Sequence, residues 1–253
     1  MPNCVEKLMG MAISIDVRDP LPYDARGDAI AAAFAWLREV DEVFSTYKDG
    51  SEINRLDRGE LALDECRAEV REVLGLCAEV GRTSRGYFSA RPGSGGRLDP
   101  SGMVKGWAAE RASAILDGAG AHNHCVNAGG DVRTRGEPAP GARWRIGVVH
   151  PFVRDRLTTI VEGGDFAVAT SGTSERGLHV TDPHTGRPVD ALASVTVVGP
   201  DLTYTDAYAT AAFAMGLDAP EWLAALPDHE AYVIDAGGHV WWTDGFPRYA
   251  PGL

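Results

Sequence analysis

The strongest constraint on the fold is the change in hydrophobic periodicity along the 253 residues. The first half repeats apolar residues at helical spacing, as in 25–45, where Ile30, Phe34 and Leu37 recur every three or four positions. The second half consists mainly of short β-rich runs separated by Gly and Pro. Helices concentrated early and strands concentrated late indicate an α+β fold.

The same patterns predict the individual elements. Helices are expected at 25–45, 66–83, 104–116 and 205–215, with a short one near Glu221. Strands are expected at Met11–Val17, His124–Asn127, Trp144–Val149, Leu157–Val161, Phe166–Thr170, Ser194–Val198, Ala231–Ile234 and His239–Thr243. The sequence has no internal repeat, low-complexity tract or obvious linker, so we expect residues 1–253 to form one domain.

Composition argues against several classes of partner. The formal net charge of -12 disfavours nucleic acid and anionic membrane surfaces, because both are bound by clustered Lys and Arg. No apolar run approaches the roughly 20 residues of a membrane span. The four cysteines form no CxxC motif, and residues 1–7 lack the apolar stretch of a secretory signal. We therefore expect a cytoplasmic protein.

One stretch combines an acid, a glycine turn and a lysine near a helix start, namely Asp99-Pro-Ser-Gly-Met-Val-Lys105-Gly-Trp-Ala-Ala-Glu110. A glycine turn that opens a helix presents free N–H groups and the positive end of the helix dipole, which suits a phosphate. A lysine in the first turn is disfavoured by that dipole, and a bound anion would remove the conflict. An ordinary Asp-Pro turn with a solvated Lys105 explains the segment equally well.

Asp206 and Thr210 lie four residues apart at the predicted start of a helix, so their oxygens face the same way. A carboxylate and a hydroxyl provide oxygen-only ligation, which suits a hard cation such as Mg²⁺. The structural alternative is strong, because the helix dipole favours Asp in a first turn and Thr can occupy any helix.

Three further segments allow a chemical or a structural interpretation. His179 is either a general base, a phosphate contact or simply a hydrogen-bonded residue, and its spacing from His184 does not fit a helical zinc site. The segment 127–131, Asn-Ala-Gly-Gly-Asp, favours a hairpin turn over close backbone approach to a flat ligand. The hydroxyl-rich turn predicted at 170–173 either binds phosphate through its N–H groups or ends a strand.

A series of short motifs covers nearly the whole chain in a specific order. They are Met9-Gly10, Phe44–Tyr47, Ser51–Asn54, Gly86–Phe88, Asp99–Glu110, Asn127–Asp131, Ala169–Gly172, His179–Pro188, Ser194–Val197, and Asp206 with Thr210. In this order they resemble the ApbE family, the FAD:protein FMN transferases. The resemblance implies one ApbE-like (T-fold-like) flavin transferase domain, with mixed or antiparallel sheets and flanking helices.

The resemblance also implies an activity. Enzymes of this family cleave the pyrophosphate of FAD in a Mg²⁺-dependent reaction, attach FMN to a Thr or Ser hydroxyl of an acceptor protein, and release AMP. The alternatives are a Mg²⁺-dependent FAD pyrophosphatase, in which water replaces the acceptor, and a non-catalytic flavin-binding protein. Asp206, Thr210 and Lys105 together favour an enzyme, whereas nothing in the sequence separates transfer from hydrolysis or identifies the acceptor.

The resemblance further assigns roles to individual residues. Those implied to contact FAD are Met9, Tyr47, Asp99 and Lys105, with Thr181 lining the same site. Those implied to bind Mg²⁺ are Asp206, Thr210 and the backbone carbonyl of Gly102. Catalytic roles fall to His179, near the phosphates, and to Asp206. The aromatic Tyr47 would pack on the isoalloxazine, and its structural alternative is to cover the core at a helix end.

The sequence also departs from the family pattern. Ser89 and Glu110 stand where members more often have Asp. The segment between Phe88 and Asp99 is shorter than in typical members, so we expect a wall of the flavin pocket to be missing or rebuilt.

Overall fold

The computed structural model describes residues 4–91, 96–153, 155–172 and 181–253. The helices in these ranges are α1 (Tyr23–Phe44), α2 (Glu52–Asp57), α3 (Ala68–Thr83), α4 (Ser101–Gly118), α5 (Leu202–Met215) and α6 (Ala219–Ala224). Short 3-10 turns occur at Leu63–Glu65, Gly216–Asp218 and Phe246–Arg248. None of the helices in these ranges combines the length and the hydrophobicity that a bilayer crossing requires.

The strands in the same ranges build one large sheet and one hairpin. They are β1 (Cys4–Leu8), β2 (Met11–Val17), β3 (His124–Ala128), β4 (Asp131–Arg135), β5 (Trp144–Val149), β6 (Leu157–Gly163), β7 (Phe166–Gly172), β8 (Leu192–Gly199), β9 (Glu230–Asp235) and β10 (Val240–Trp242). The sheet has the order β1-β2-β3-β4-β7-β8-β9-β10, and β5 pairs with β6. Every paired strand described is antiparallel, which confirms the predicted α+β class.

The large sheet separates two hydrophobic cores, because successive side chains of a strand point to opposite faces. On β7, Ala167 and Ala169 enter the core beneath the helices, whereas Phe166 and Val168 enter the core beneath the β5–β6 hairpin. All eight residues of β8 are buried, which fits a strand covered on both faces. The helix-covered face also holds the polar cluster described below.

Two helices begin three residues earlier than the periodicity predicts, because local side chains bind their first N–H groups. Asp99 Oδ1 accepts the N–H of Ser101 at 3.0 Å at the start of α4. The carboxylate of Asp201 accepts two N–H groups of the first turn of α5. Lys105 and Asp206 consequently lie in second turns, where the dipole is weak. The dipole therefore does not account for Asp206, contrary to the structural alternative.

The turn between β3 and β4 confirms the hairpin predicted at 127–131. Gly129 and Gly130 have φ values of +61° and +101°, in the left-handed region that a two-residue hairpin turn requires. Gly129 also lies against Met11, whose Sδ would be 2.9 Å from an added Cβ. The turn predicted at 170–173 is wrong for residues 170–172, because they continue β7. Residue 173 lies outside the described ranges.

Candidate functional site

The candidate site is built where α4 crosses α5, and a glycine makes that crossing possible. A Cβ at Gly106 would lie 2.4 Å from the carbonyl oxygen of Leu202 and 2.8 Å from Cβ of Asp206. Because real Cβ atoms do not approach backbone so closely, only glycine allows this helix separation. The close approach places Lys105, the neighbour of Gly106, next to Asp206.

The centre of the site is an ammonium between two carboxylates. Lys105 Nζ pairs with Oδ2 of Asp131, and it lies 3.4 Å from Oδ1 of Asp206. The carboxylate side chains are 3% and 2% exposed, against 26% for Lys105. The remaining oxygens accept backbone N–H groups, from Thr170 at 2.9 Å on Asp131 and from Gly106 at 3.0 Å on Asp206.

The electrostatics of this cluster favour a cation. Burial opposes the charge of Lys105, but Asp206 and Asp131 outweigh it and raise the pKa of the ammonium above its ordinary value. Burial raises the pKa of Asp206, and the nearby Lys105 counteracts that rise only in part. Two carboxylates and one ammonium carry a net charge of about −1 when all three are ionised. A further positive charge would compensate that excess.

Neutral oxygens lie beside the carboxylates. Thr210 follows Asp206 by one helical turn, and its hydroxyl is 3.4 Å from the hydroxyl of Ser171 on β7. Gly102 also lies here, because an added Cβ would be 3.5 Å from Cγ2 of Thr210. The structure thus brings together Asp206, Thr210 and Gly102, as the family resemblance implies. No group of three or more His, Cys, Asp or Glu side chains suited to a metal occurs within the described ranges.

The lysine at the centre is ion-paired and not free in solvent. The ordinary Asp-Pro turn with a free Lys105, which the sequence equally allowed, is therefore wrong for the lysine, since both of its carboxylate partners are buried. Asp99 stays at the beginning of α4, half-buried, where it binds the N–H of Ser101. Asp99 and Gly102 therefore both lie at the N-terminal end of α4.

The other residues assigned to FAD lie in turns and loops between the elements. Met9 occupies the β1–β2 turn with φ +49° and is partly buried. Tyr47, between α1 and α2, is 96% exposed, so its alternative role of covering the core is wrong. Thr181 forms an isolated bridge with Pro188. The described contacts do not join these turns to Lys105, and the predicted catalytic residue His179 lies outside the described residues.

Motif residues that carry no catalytic chemistry hold these turns. The side-chain amide of Asn54 donates to the carbonyl oxygens of Ser45 and Lys48, at 3.3 and 2.9 Å, and so fixes the loop that presents Tyr47. The ring of His184 packs edge-on against Tyr87 with centroids 4.6 Å apart. Hydrogen bonds from Asn54 thus hold the backbone near Tyr47, and a ring contact holds His184 against Tyr87.

Sequence reasoning missed two members of the cluster. Asp131 was interpreted as part of a hairpin or of a close backbone approach to a flat ligand, and not as a partner of Lys105, although an acid directly after a Gly-Gly turn is placed at the first residue of a strand. Ser171 was assigned to a turn, but as a strand residue it points at Thr210. Both omissions have the same cause, because the partners of these side chains are distant in the sequence.

A second charged cluster joins the same elements. Glu110 of α4 accepts Nε of Arg133 at 2.9 Å and the N–H of Leu202, the first residue of α5, at 2.9 Å. Arg135 lies 3.6 Å from the same carboxylate and donates to the hydroxyl of Ser113 at 3.3 Å. This second cluster ties α4 to β4 and to the start of α5, which are the elements that carry the first cluster.

The comparison with known proteins agrees with this arrangement. The model of the ApbE family matches residues 9–94 and 89–233. The chain belongs to the ApbE family. It is similar to the FAD:protein FMN transferase of Vibrio cholerae serotype O1, with 34% identity over 163 residues, which is 60% of this chain and 47% of that protein. The corresponding Escherichia coli K12 protein is 26% identical over 162 residues, 60% of this chain and 46% of that protein.

The chain thus spans about half the length of the curated relatives it matches. Solved structures of ApbE proteins extend the likeness to the whole fold. The ApbE protein of Thermotoga maritima superimposes with a TM-score of 0.86 at 22% identity, covering 98% of both chains. The flavin transferase ApbE from Vibrio cholerae gives 0.81 at 23% identity, again over 98% of both chains. These likenesses confirm the ApbE-like fold.

Proposed function

We propose that this ApbE-family chain transfers FMN from FAD to a Thr or Ser hydroxyl of an acceptor protein and releases AMP, with Mg²⁺ as cofactor. The observation that carries the proposal is the cluster at the crossing of α4 and α5. It presents the Lys105 ammonium beside the carboxylate of Asp206 and the hydroxyl of Thr210. The reaction class comes from relatives named FAD:protein FMN transferase.

The oxygens of the cluster fit Mg²⁺, which prefers hard oxygen ligands and keeps several waters. The proposed ligands are Asp206, Thr210 and the carbonyl of Gly102. In a regular helix that carbonyl would accept the N–H of Gly106, which here donates to Asp206. When bound, Mg²⁺ would offset charge that develops on the pyrophosphate as AMP departs.

The chain's own residues have distinct parts in this reaction. The acceptor oxygen bonds to the phosphorus of the FMN half, the bond to the AMP oxygen breaks, and the hydroxyl proton passes to a base, for which we propose His179. Lys105, which lies beside the proposed Mg²⁺ ligand Asp206, would offset phosphate charge. Because phosphoryl transfer needs little covalent chemistry from the protein, positioning and charge supply most of the catalysis.

The turns that carry Met9, Tyr47 and Thr181 are the proposed flavin contacts. Tyr47 is exposed and held by a fixed loop, so its ring is available to stack on an isoalloxazine. Met9, Asp99 and Thr181 are proposed to complete the contacts with FAD. FAD and an acceptor flavoprotein are thus the proposed partners, and a cytoplasmic location remains part of the proposal.

The test is incubation of the full chain with FAD and Mg²⁺, with and without a candidate acceptor domain. AMP is measured by chromatography, and the acceptor by intact-protein mass. Transfer predicts AMP together with an FMN-sized mass gain, which is lost when the candidate acceptor Thr is replaced by Val. AMP without an acceptor would instead support the pyrophosphatase, and bound FAD that stays intact would support a flavin-binding protein.

A further inference from the structure

We propose that Asp131 is a positioning residue that holds the Lys105 ammonium away from Asp206 and so keeps one oxygen of Asp206 available to a divalent cation. The inference rests on the proposed function, because it concerns the cation site of that reaction. It gives Asp131 a role in the site other than that of a hairpin residue.

The carboxylate oxygens of Asp131 and Asp206 differ in how tightly they are held. Oδ1 of Asp131 accepts the N–H of Thr170 at 2.9 Å, whereas its Oδ2 is ion-paired with the ammonium and accepts no hydrogen bond of regular geometry. Oδ2 of Asp206 is occupied by the N–H of Gly106 at 3.0 Å. Oδ1 of Asp206 has only the ammonium, at 3.4 Å. It is therefore the least tightly held oxygen of the cluster.

Lys105 Nζ is closer to Asp131 than to Asp206. Asp131 is a rigid partner, because it begins β4 directly after the Gly129-Gly130 turn and is anchored to the backbone of β7. A lysine side chain is flexible, so the better-placed carboxylate decides where its charge resides.

The net charge of the cluster also depends on Asp131. With all three groups ionised, the ammonium cancels one carboxylate and the cluster keeps a net charge of about −1. Without the negative charge of Asp131, the Lys105 ammonium would pair with Asp206 alone, and the net charge of the cluster would be zero. Removing Lys105 as well would restore the excess negative charge. Because the carboxylates are almost fully buried, water and salt screen these interactions weakly.

The experiment measures Mn²⁺ binding to the full chain without FAD, from the electron paramagnetic resonance signal of free Mn²⁺. The proteins are the wild type, Asp131→Asn, Lys105→Met and the double variant. We expect Asp131→Asn to raise the dissociation constant about tenfold or more, since the cluster loses its excess negative charge. Lys105→Met should bind Mn²⁺ at least as tightly as the wild type, and the double variant within about threefold of it.

Recovery in the double variant is the decisive result, because a merely structural role for Asp131 would not be repaired by a second substitution. Equal weakening in Asp131→Asn and the double variant would overturn the inference and make Asp131 a direct ligand. Unchanged binding in Asp131→Asn would overturn it too. Absence of Mn²⁺ binding to the wild type would remove the cation site of the proposed function itself, and this inference with it.

Two controls separate these outcomes from misfolding. The exposed Asp28 of α1 undergoes the same chemical change in Asp28→Asn, and that variant should bind Mn²⁺ as the wild type does. Thermal unfolding of each variant shows whether the fold survives. Asn at 131 keeps an oxygen for the N–H of Thr170, so the β4–β7 contact should persist.

Discussion

Helix α4 carries two charged clusters that face the same neighbours, and they differ in how completely their charges are satisfied. Around Glu110, the carboxylate is shared by Arg133, Arg135 and the N–H of Leu202, so no oxygen is left over. Around Lys105, two buried carboxylates share one ammonium, and an oxygen of Asp206 is only loosely held.

The difference indicates separate roles for the two clusters. A buried charge with a full set of partners fixes the positions of the elements that carry it, and its loss is expected to affect stability. A buried charge with an incomplete set is ready for a ligand, and its loss is expected to affect binding or turnover. The following changes test that division.

The largest effect is expected from Asp206→Ala. Removal of the carboxylate takes away the proposed central cation ligand, and we expect AMP release from FAD to fall about 1,000-fold or more. The measurement is AMP formation at saturating Mg²⁺, alongside thermal unfolding. Asp28→Ala on the exposed surface of α1 is the control. Full activity of Asp206→Ala would refute the cation site.

Glu110→Ala should act mainly on stability. It leaves Arg133, which is 5% exposed, without its carboxylate partner, and we expect the free energy of unfolding to fall by about 3 kcal/mol. Urea unfolding provides the measurement. The exposed pair between Glu6 and Arg38 serves for comparison, because Glu6→Ala should cost less than about 1 kcal/mol. Similar losses in both variants would contradict a structural role for the Glu110 cluster.

His124 is linked to the Glu110 cluster through the hydroxyl of Ser113, which also accepts a hydrogen bond from Arg135. We expect His124 to make the stability of the protein depend on pH. This residue is fully buried and binds the hydroxyl of Ser113 at 2.7 Å. Burial lowers its pKa below the usual 6.5. The charges of Arg135 and Arg133 add to this effect, whereas the hydrogen bond to the Ala121 carbonyl and the charge of Asp117 oppose it. The unfolded chain therefore binds the proton first, and stability falls as pH drops below about 6.5, by up to about 1.4 kcal/mol per pH unit.

Comparison of the wild type with His124→Gln isolates this contribution. Urea unfolding at about pH 7.5 and pH 5.5 should show a smaller loss of stability in the variant, since glutamine takes up no proton over this range. His229 also has a pKa lowered by burial and is present in both proteins, so it cancels in the comparison. An identical pH dependence in both proteins would exclude His124 as the source.

The smallest effect is expected from Asp201→Ala at the beginning of α5. Asp201 accepts the N–H groups of Thr203 and Tyr204 at 2.8 and 3.3 Å, and loss of such a cap costs about 1 kcal/mol. Glu110 still holds the N–H of Leu202 in this variant. A loss as large as that of Glu110→Ala would show that the cap, and not the second cluster, fixes the start of α5.

Local patterns predicted most elements of the fold. Strand β2 is observed at Met11–Val17 as predicted, because its alternation reflects one buried face. Strand β4 was not predicted, since Asp-Val-Arg-Thr-Arg has the composition of an exposed segment, yet four of its five residues are buried. Its charges are tolerated there because ion pairs with α4 compensate them. The failure to predict β4 and the failure to place Asp131 in the cluster therefore have the same cause.

The sequence by itself determined the α+β class, the order of the family motifs and the presence of oxygen-bearing side chains one helical turn apart at Asp206 and Thr210. Only the tertiary structure decided that Lys105 bridges Asp131 and Asp206, which come from three separate elements. The physical reason is that periodicity records whether a side chain is buried, but not what it meets there. That contact depends on a close helix crossing, which the missing Cβ of Gly106 permits.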